Sequence, residues 1–165
     1  MSGSDPVLPL QYRYHMNQGP FSVPGGRHTL GMRADGGEEL AEWSEFNKMI
    51  GLGWRDAKFG DRLTVDEKGQ AIRTPKGEGP GAGHGAQHEF TVIVREREHP
   101  VMQGLPIEWL HTKDELYHGQ RGPAASMNVL ATAFAAKQTG GTDAHEPMVW
   151  WIPYEKGKVF TTVMG

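Results

Sequence analysis

The sequence predicts one α/β domain, a helix followed by strands, and three observations predict it. A single amphipathic helical period occupies residues 38–50, strand-like runs separated by turn residues fill most of the chain beyond it, and 165 residues suit one domain rather than two.

In the helix, Leu40, Trp43, Phe46 and Ile50 share one face. Glu38, Glu39 and Glu42 crowd its start, where the helix dipole favours negative charge, and Gly51 supplies a stop. Residues 62–65 and 70–73 then pair around the turn Asp66-Glu67-Lys68-Gly69. Residues 88–95 read as a strand with Phe90, Val92 and Val94 on one face. Residues 127–134 read as another, although their alanines leave a helix open. Residues 148–154 and 158–163 flank Glu155-Lys156-Gly157 as a hairpin. In a regular strand Trp150 and Trp151 face opposite sides, so at least one belongs to the core and the other is open to stacking on a sugar ring. Residues 1–37 keep no period, are broken by Pro6 and by Val23-Pro24-Gly25-Gly26, and are expected to be irregular; residues 38–165 form the domain.

Composition narrows the function. The net charge is −3 and the 17 basic residues are dispersed, without the basic stripe of a nucleic-acid-binding surface. No apolar run is long enough to span a membrane, and the N-terminus lacks the charged-then-apolar pattern of a secretory signal. A cytoplasmic protein is therefore expected, with a periplasmic parent left open if the N-terminus is truncated. The absence of cysteine removes disulfides, thiolate ligands and a cysteine nucleophile together.

Three segments carry chemistry. Gly77-Glu78-Gly79-Pro80-Gly81-Ala82-Gly83-His84-Gly85-Ala86-Gln87-His88 joins a glycine-rich loop to two histidines four apart. On a helix, His84 and His88 would share a face suited to a divalent metal such as zinc. The glycines argue against a helix, so ligation stays open beside simple hydrogen bonding to loop backbone. In Asp114-Glu115-Leu116-Tyr117-His118, two carboxylates, a phenol and an imidazole can supply an acid, a base and orienting groups near neutral pH. If extended, this segment puts Glu115 and Tyr117 on one face and Asp114 and His118 on the other; a surface turn is the plainer alternative. The third segment places His145 and Glu146 in a polar loop, Gly140 to Pro147, at the mouth of an apolar strand. His99-Pro100 reads as a structural turn.

Taken in order, these segments resemble the ThuA-like (trehalose-utilisation) family. The resemblance rests on Glu42-Trp43-Ser44-Glu45-Phe46-Asn47-Lys48-Met49-Ile50-Gly51, Gly83-His84-Gly85-Ala86-Gln87-His88, His99-Pro100-Val101-Met102-Gln103-Gly104-Leu105-Pro106, Asp114-Glu115-Leu116-Tyr117, Val129-Leu130-Ala131-Thr132, His145-Glu146-Pro147-Met148-Val149-Trp150 and Tyr154-Glu155-Lys156-Gly157-Lys158-Val159-Phe160. It covers about residues 38–165 and implies a flavodoxin-like three-layer fold, related to class I glutamine amidotransferases, with a role in sugar metabolism. Without a cysteine, glutamine hydrolysis by the amidotransferase route is excluded.

Two departures from the family pattern stand out. Gly25-Gly26 leads into Arg27-His28-Thr29-Leu30-Gly31-Met32-Arg33 instead of an apolar strand, and the chain stops at Thr161-Thr162-Val163-Met164-Gly165. A partial domain is therefore expected, with completion by a second copy left open. The resemblance implies a glucoside or keto-sugar as substrate. For such a substrate the residues themselves suggest Glu115, His118 and His84 as catalytic, with Glu115 or His118 as general base and His84, alone or through a metal held with His88, polarising a carbonyl. Asp114, Tyr117, His145 and Glu146 are the expected substrate-binding residues. The alternatives are a non-catalytic carbohydrate-binding or interaction module and an inactive fragment.

Overall fold

A computed structural model of the chain describes residues 44–164, together with the backbone of a short pairing between β1 (Ser22–Val23) and β2 (Arg27–His28). The expectation of irregular structure over residues 1–37 falls, apart from that pairing, outside the described residues. The first half of the predicted helix does too.

What is described of the helix is α1 (Ser44–Ile50). It stops where expected: Gly51 takes φ +76° and its N–H bonds back to the Asn47 carbonyl at 2.9 Å. Phe46 faces the core, and Glu45 accepts a 2.7 Å bond from the Tyr154 hydroxyl, which pins the helix to the C-terminal hairpin.

The strands follow as β3 (Arg62–Val65), β4 (Ala71–Thr74), β5 (Gly83–His84), β6 (His88–Val94), β7 (Glu108–Asp114), β8 (Tyr117–His118), β9 (Asn128–Ala135), β10 (Ala144–Tyr154) and β11 (Gly157–Thr162). Seven of them build one sheet in the order β4-β3-β10-β9-β6-β7, with β11 on the C-terminal half of β10. The two-residue strands β5 and β8 form a separate ribbon, in which Gly83 faces His118 and His84 faces Tyr117.

Both predicted hairpins are present. Arg62 to Val65 pair with Thr74 to Ala71, and Tyr154 pairs with Gly157 across a two-residue loop. The Asp66 carboxylate closes the first turn by accepting the Gln70 N–H at 2.7 Å. Phe90, Val92 and Val94 all point inward, each contributing about 1.5–3 kcal/mol by burial.

The alanine-rich segment resolves as strand β9. Ala131, Ala133 and Ala135 lie on a strand inside the sheet and are fully buried. Helix propensity yields here to the tertiary setting. Strand β7 was not predicted. Its charges hide an alternation in which Trp109 and His111 are half-buried while Glu108, Leu110 and Thr112 face solvent, as suits an edge.

The α/β character stands, in a sheet-dominated form. The described residues do not confirm the flavodoxin-like layering. Every strand pairing described is antiparallel, so the doubly wound parallel sheet of a three-layer fold is not what these residues form. Short connections and the tight turns at residues 66–69 and 155–156 allow hairpins and leave no room for helical crossovers between those strands. No helix of the described residues is long and apolar enough to cross a membrane.

Of the adjacent tryptophans, Trp150 is the core residue: it is fully buried, and its indole N–H donates to the Ile50 carbonyl at 2.7 Å. Trp151 is already engaged within the protein. The His99 ring stacks on it at 5.9 Å, and Lys158 Nζ lies 4.7 Å from its ring centre.

Candidate functional site

The glycine-rich loop lies against three other segments, and its glycines permit that approach. A Cβ on Gly85 would come within 1.6 Å of the Thr139 carbonyl oxygen, and one on Gly83 within 3.0 Å of His118 Cε1. Gly77 N–H bonds to Ala57, Ala82 N–H to Arg55 and Ala86 N–H to Thr139, so the loop is tied down at its start, its middle and near its end. Its earlier part is gathered by Arg121. This fully buried guanidinium donates to the carbonyls of Gly60, Pro75, Glu78 and Pro80.

Two polar groups result, one on each side of the β5–β8 ribbon. Directly opposed residues of an antiparallel pair share a face, and neighbours along a strand alternate. On one side His84 and Tyr117 meet, with ring centres 6.1 Å apart, and Trp54 packs against both at 5.7 and 5.4 Å. Glu115 completes this group. It accepts a 3.0 Å bond from the Tyr117 hydroxyl on Oε2, and its Oε1 lies 3.9 Å from His84 Nε2. His84 Nδ1 lies 2.8 Å from the Gly85 carbonyl and so must carry a proton. In the neutral ring Nε2 is then a bare lone pair facing the carboxylate. A hydroxyl oxygen or water can lie within hydrogen-bond reach of both Nε2 and Oε1.

On the other side His118 points inward, buried, with Gly83 across from it. Behind it lies a buried ion pair. Arg62 donates to Glu146, and Thr142 donates to the same carboxylate oxygen at 2.6 Å. Burial lowers the His118 pKa. The Glu146 charge and the Gly140 backbone oppose that shift, and Arg62 and His84 add to it.

The remaining predicted residues lie elsewhere. Asp114 accepts the Glu115 N–H at 2.8 Å and lies 3.2 Å from His111 Nε2, so it shapes the loop. His145 sits beside Phe134, its partner on β9, on the opposite face of β10 from Glu146. Its pKa is lowered, chiefly by burial and then by the Arg95 charge, with Glu67 opposing. His88 lies 2.8 Å from the Ala86 carbonyl and packs on Phe90, so its neighbours differ from those of His84. Among the described residues no three His, Asp or Glu side chains converge on a place for a metal ion.

Both lowered histidines act on stability in the same direction. The unfolded chain takes up these protons near the ordinary histidine value of 6.5, the folded chain only at lower pH. Their contribution is therefore complete above about pH 6.5 and is lost as pH falls from there toward the lowered values. Thermal melts across that window should show stability falling on the acid side, with a shallower slope in His145→Asn. An unchanged slope would show that His145 titrates alike in both states.

Sequence reasoning missed Trp54, Arg62, Thr142 and Arg121. Trp54 stands in Gly51-Leu52-Gly53-Trp54-Arg55, an aromatic residue beside glycines with no strand or helix period, and that signal could have found it. Arg62 offered none. The alternation of Arg62 and Thr64 with Leu63 and Val65 reads as a half-exposed strand, yet all four are buried.

The order of motifs along the chain and this site geometry can be set beside known proteins. A solved ThuA-like protein from Parabacteroides merdae ATCC 43184 is 37% identical, with a TM-score of 0.67, over 73% of this chain. The match takes in 43% of that protein, so the chain corresponds to less than half its length. No curated protein matches. The family model described as ThuA, trehalose utilisation, matches residues 23–165, which include every residue of both polar groups, and on that match the chain belongs to the ThuA family.

Proposed function

We propose that this chain acts in sugar metabolism on a glucoside or keto-sugar, by proton transfer at the Trp54, His84, Glu115 and Tyr117 group. The observation that carries the proposal is the placing of the Glu115 carboxylate 3.9 Å from His84 Nε2 beside a partly exposed aromatic ring. Aromatic rings suit the apolar faces of sugars, and a carboxylate beside them suits hydroxyls or an acidic C–H.

In this reading Glu115 takes the proton from the carbon next to the keto carbonyl. The C–H electron pair becomes the enediolate π bond, and negative charge collects on the carbonyl oxygen. His84 in its imidazolium form carries a proton on Nε2 as well as Nδ1 and can donate it to that oxygen. Tyr117 fixes the carboxylate through its 3.0 Å bond, leaving Oε1 for the substrate. No step is routed through a metal. His118, on the far side of the ribbon, is not given the base role.

The test is deuterium exchange. Incubation with a 3-keto-glucoside in heavy water is expected to label the carbon beside the carbonyl, read by NMR. Saturable binding without label would favour a carbohydrate-binding module. No binding and no label would remove the sugar reading.

A further inference from the structure

We infer that His118 is a positioning residue: its ring, wedged between Gly83 and the sheet, sets the β5–β8 ribbon in the place where His84 and Tyr117 meet Glu115, and it takes no part in proton transfer. The inference rests on the proposed site for its functional meaning, and on geometry alone for its structural content.

The ribbon is held together by two residue pairs only, Gly83 with His118 and His84 with Tyr117. So short a ladder cannot fix its own position, and what lies behind it must. Behind it lies the imidazole, 8% exposed, with Gly83 so close that an added Cβ would stand 3.0 Å from Cε1. Among the described residues neither ring nitrogen has a hydrogen-bond partner of good geometry, and the Gly140 backbone acts on the ring only strongly enough to oppose part of the effect of burial. A base or acid needs a nitrogen within reach of the proton it moves. Here both nitrogens are buried, on the side of the ribbon away from Glu115. The shape of the ring therefore does the holding. Any shift of His118 passes through one peptide bond to Tyr117 and across the ladder to His84.

A flat ring of similar size should then serve almost as well as histidine. His118→Ala is expected to weaken the nuclear Overhauser contacts among Trp54, His84 and Tyr117. It should also lower kcat/KM for the keto-sugar roughly a hundredfold, through kcat more than KM, as misplacement of a reacting group by about an ångström does. His118→Phe is expected to restore the ring contacts and most of the lost turnover. If His118→Phe keeps the contacts but stays inactive, His118 moves protons and the inference is overturned. It is equally overturned if the contacts survive in His118→Ala. Should that variant fail to fold, Gly83→Ala presses on the ring from the other side and must displace the same contacts, or positioning by this wedge is wrong. The contacts are read without sugar, so a wild-type chain with no sugar chemistry would remove the proposed function and leave this test intact.

Discussion

Glu115→Gln is expected to lower turnover of a 3-keto-glucoside by about 10²–10⁴-fold, the usual contribution of a positioned general base. The substitution keeps the shape and an oxygen that can accept the Tyr117 hydroxyl, so the ring group stays assembled. What it removes is the negative charge facing His84 Nε2 and the ability to take up a proton. Weakening one hydrogen bond to a partly exposed carboxylate costs about 1 kcal/mol at most, which for a chain of this size moves the melting temperature by about 2–4 °C. A large loss of rate with a small thermal shift is therefore the signature. Full activity would remove Glu115 from the mechanism, and a collapse of the melting temperature would make its role structural. Tyr117→Phe separates the two further: it should cost less rate than Glu115→Gln, because the base remains and only its restraint is lost.

How much of this was readable beforehand follows from what each residue's neighbours in sequence can signal. Strand β6 announced itself because Phe90, Val92 and Val94 alternate with residues turned away from the core. The two hairpins were legible because turn chemistry is local, with Asp66 and Gly69 closing one of them. The extended reading of Asp114 to His118 also gave the faces that matter, with Glu115 and Tyr117 together and His118 opposite. Strand direction across the sheet is not local. The flavodoxin-like layering that the family resemblance implies is not confirmed by the described residues, whose pairings are antiparallel. The pairing of Arg62 with Glu146 spans 84 positions, and both side chains come from strands whose local pattern suggests a solvated face or a polar loop. His118 of the β5–β8 ribbon lies over that pair, an arrangement that no window of sequence contains. His145 adjoins Glu146 in sequence, yet adjacency on a strand separates two side chains.

That hidden ion pair yields the largest expected effect on stability. Glu146 is 1% exposed and Arg62 8%, and among the described residues Arg62 Nε has no partner. Removing one member strands the other charge in the interior, which costs about 3–5 kcal/mol. Glu146→Leu alone should therefore lower the melting temperature by about 6–20 °C. Arg62→Leu alone should be similarly harmful, because among the described residues it leaves the carboxylate with only the Thr142 hydroxyl. The double variant Arg62→Leu with Glu146→Leu should be milder than either single one, since it buries no charge and offers apolar side chains to the sheet. Chemical denaturation of the four proteins measures the coupling as a double-mutant cycle. Additive losses would mean that water reaches the pair and that each residue acts independently. The cycle also bears on the ribbon above, because His118 feels both charges. Losing Glu146 alone leaves Arg62 to repel a proton on His118, whereas losing both leaves burial as the main influence. The acid side of the stability profile should therefore steepen in the single Glu146 variant and relax again in the double one.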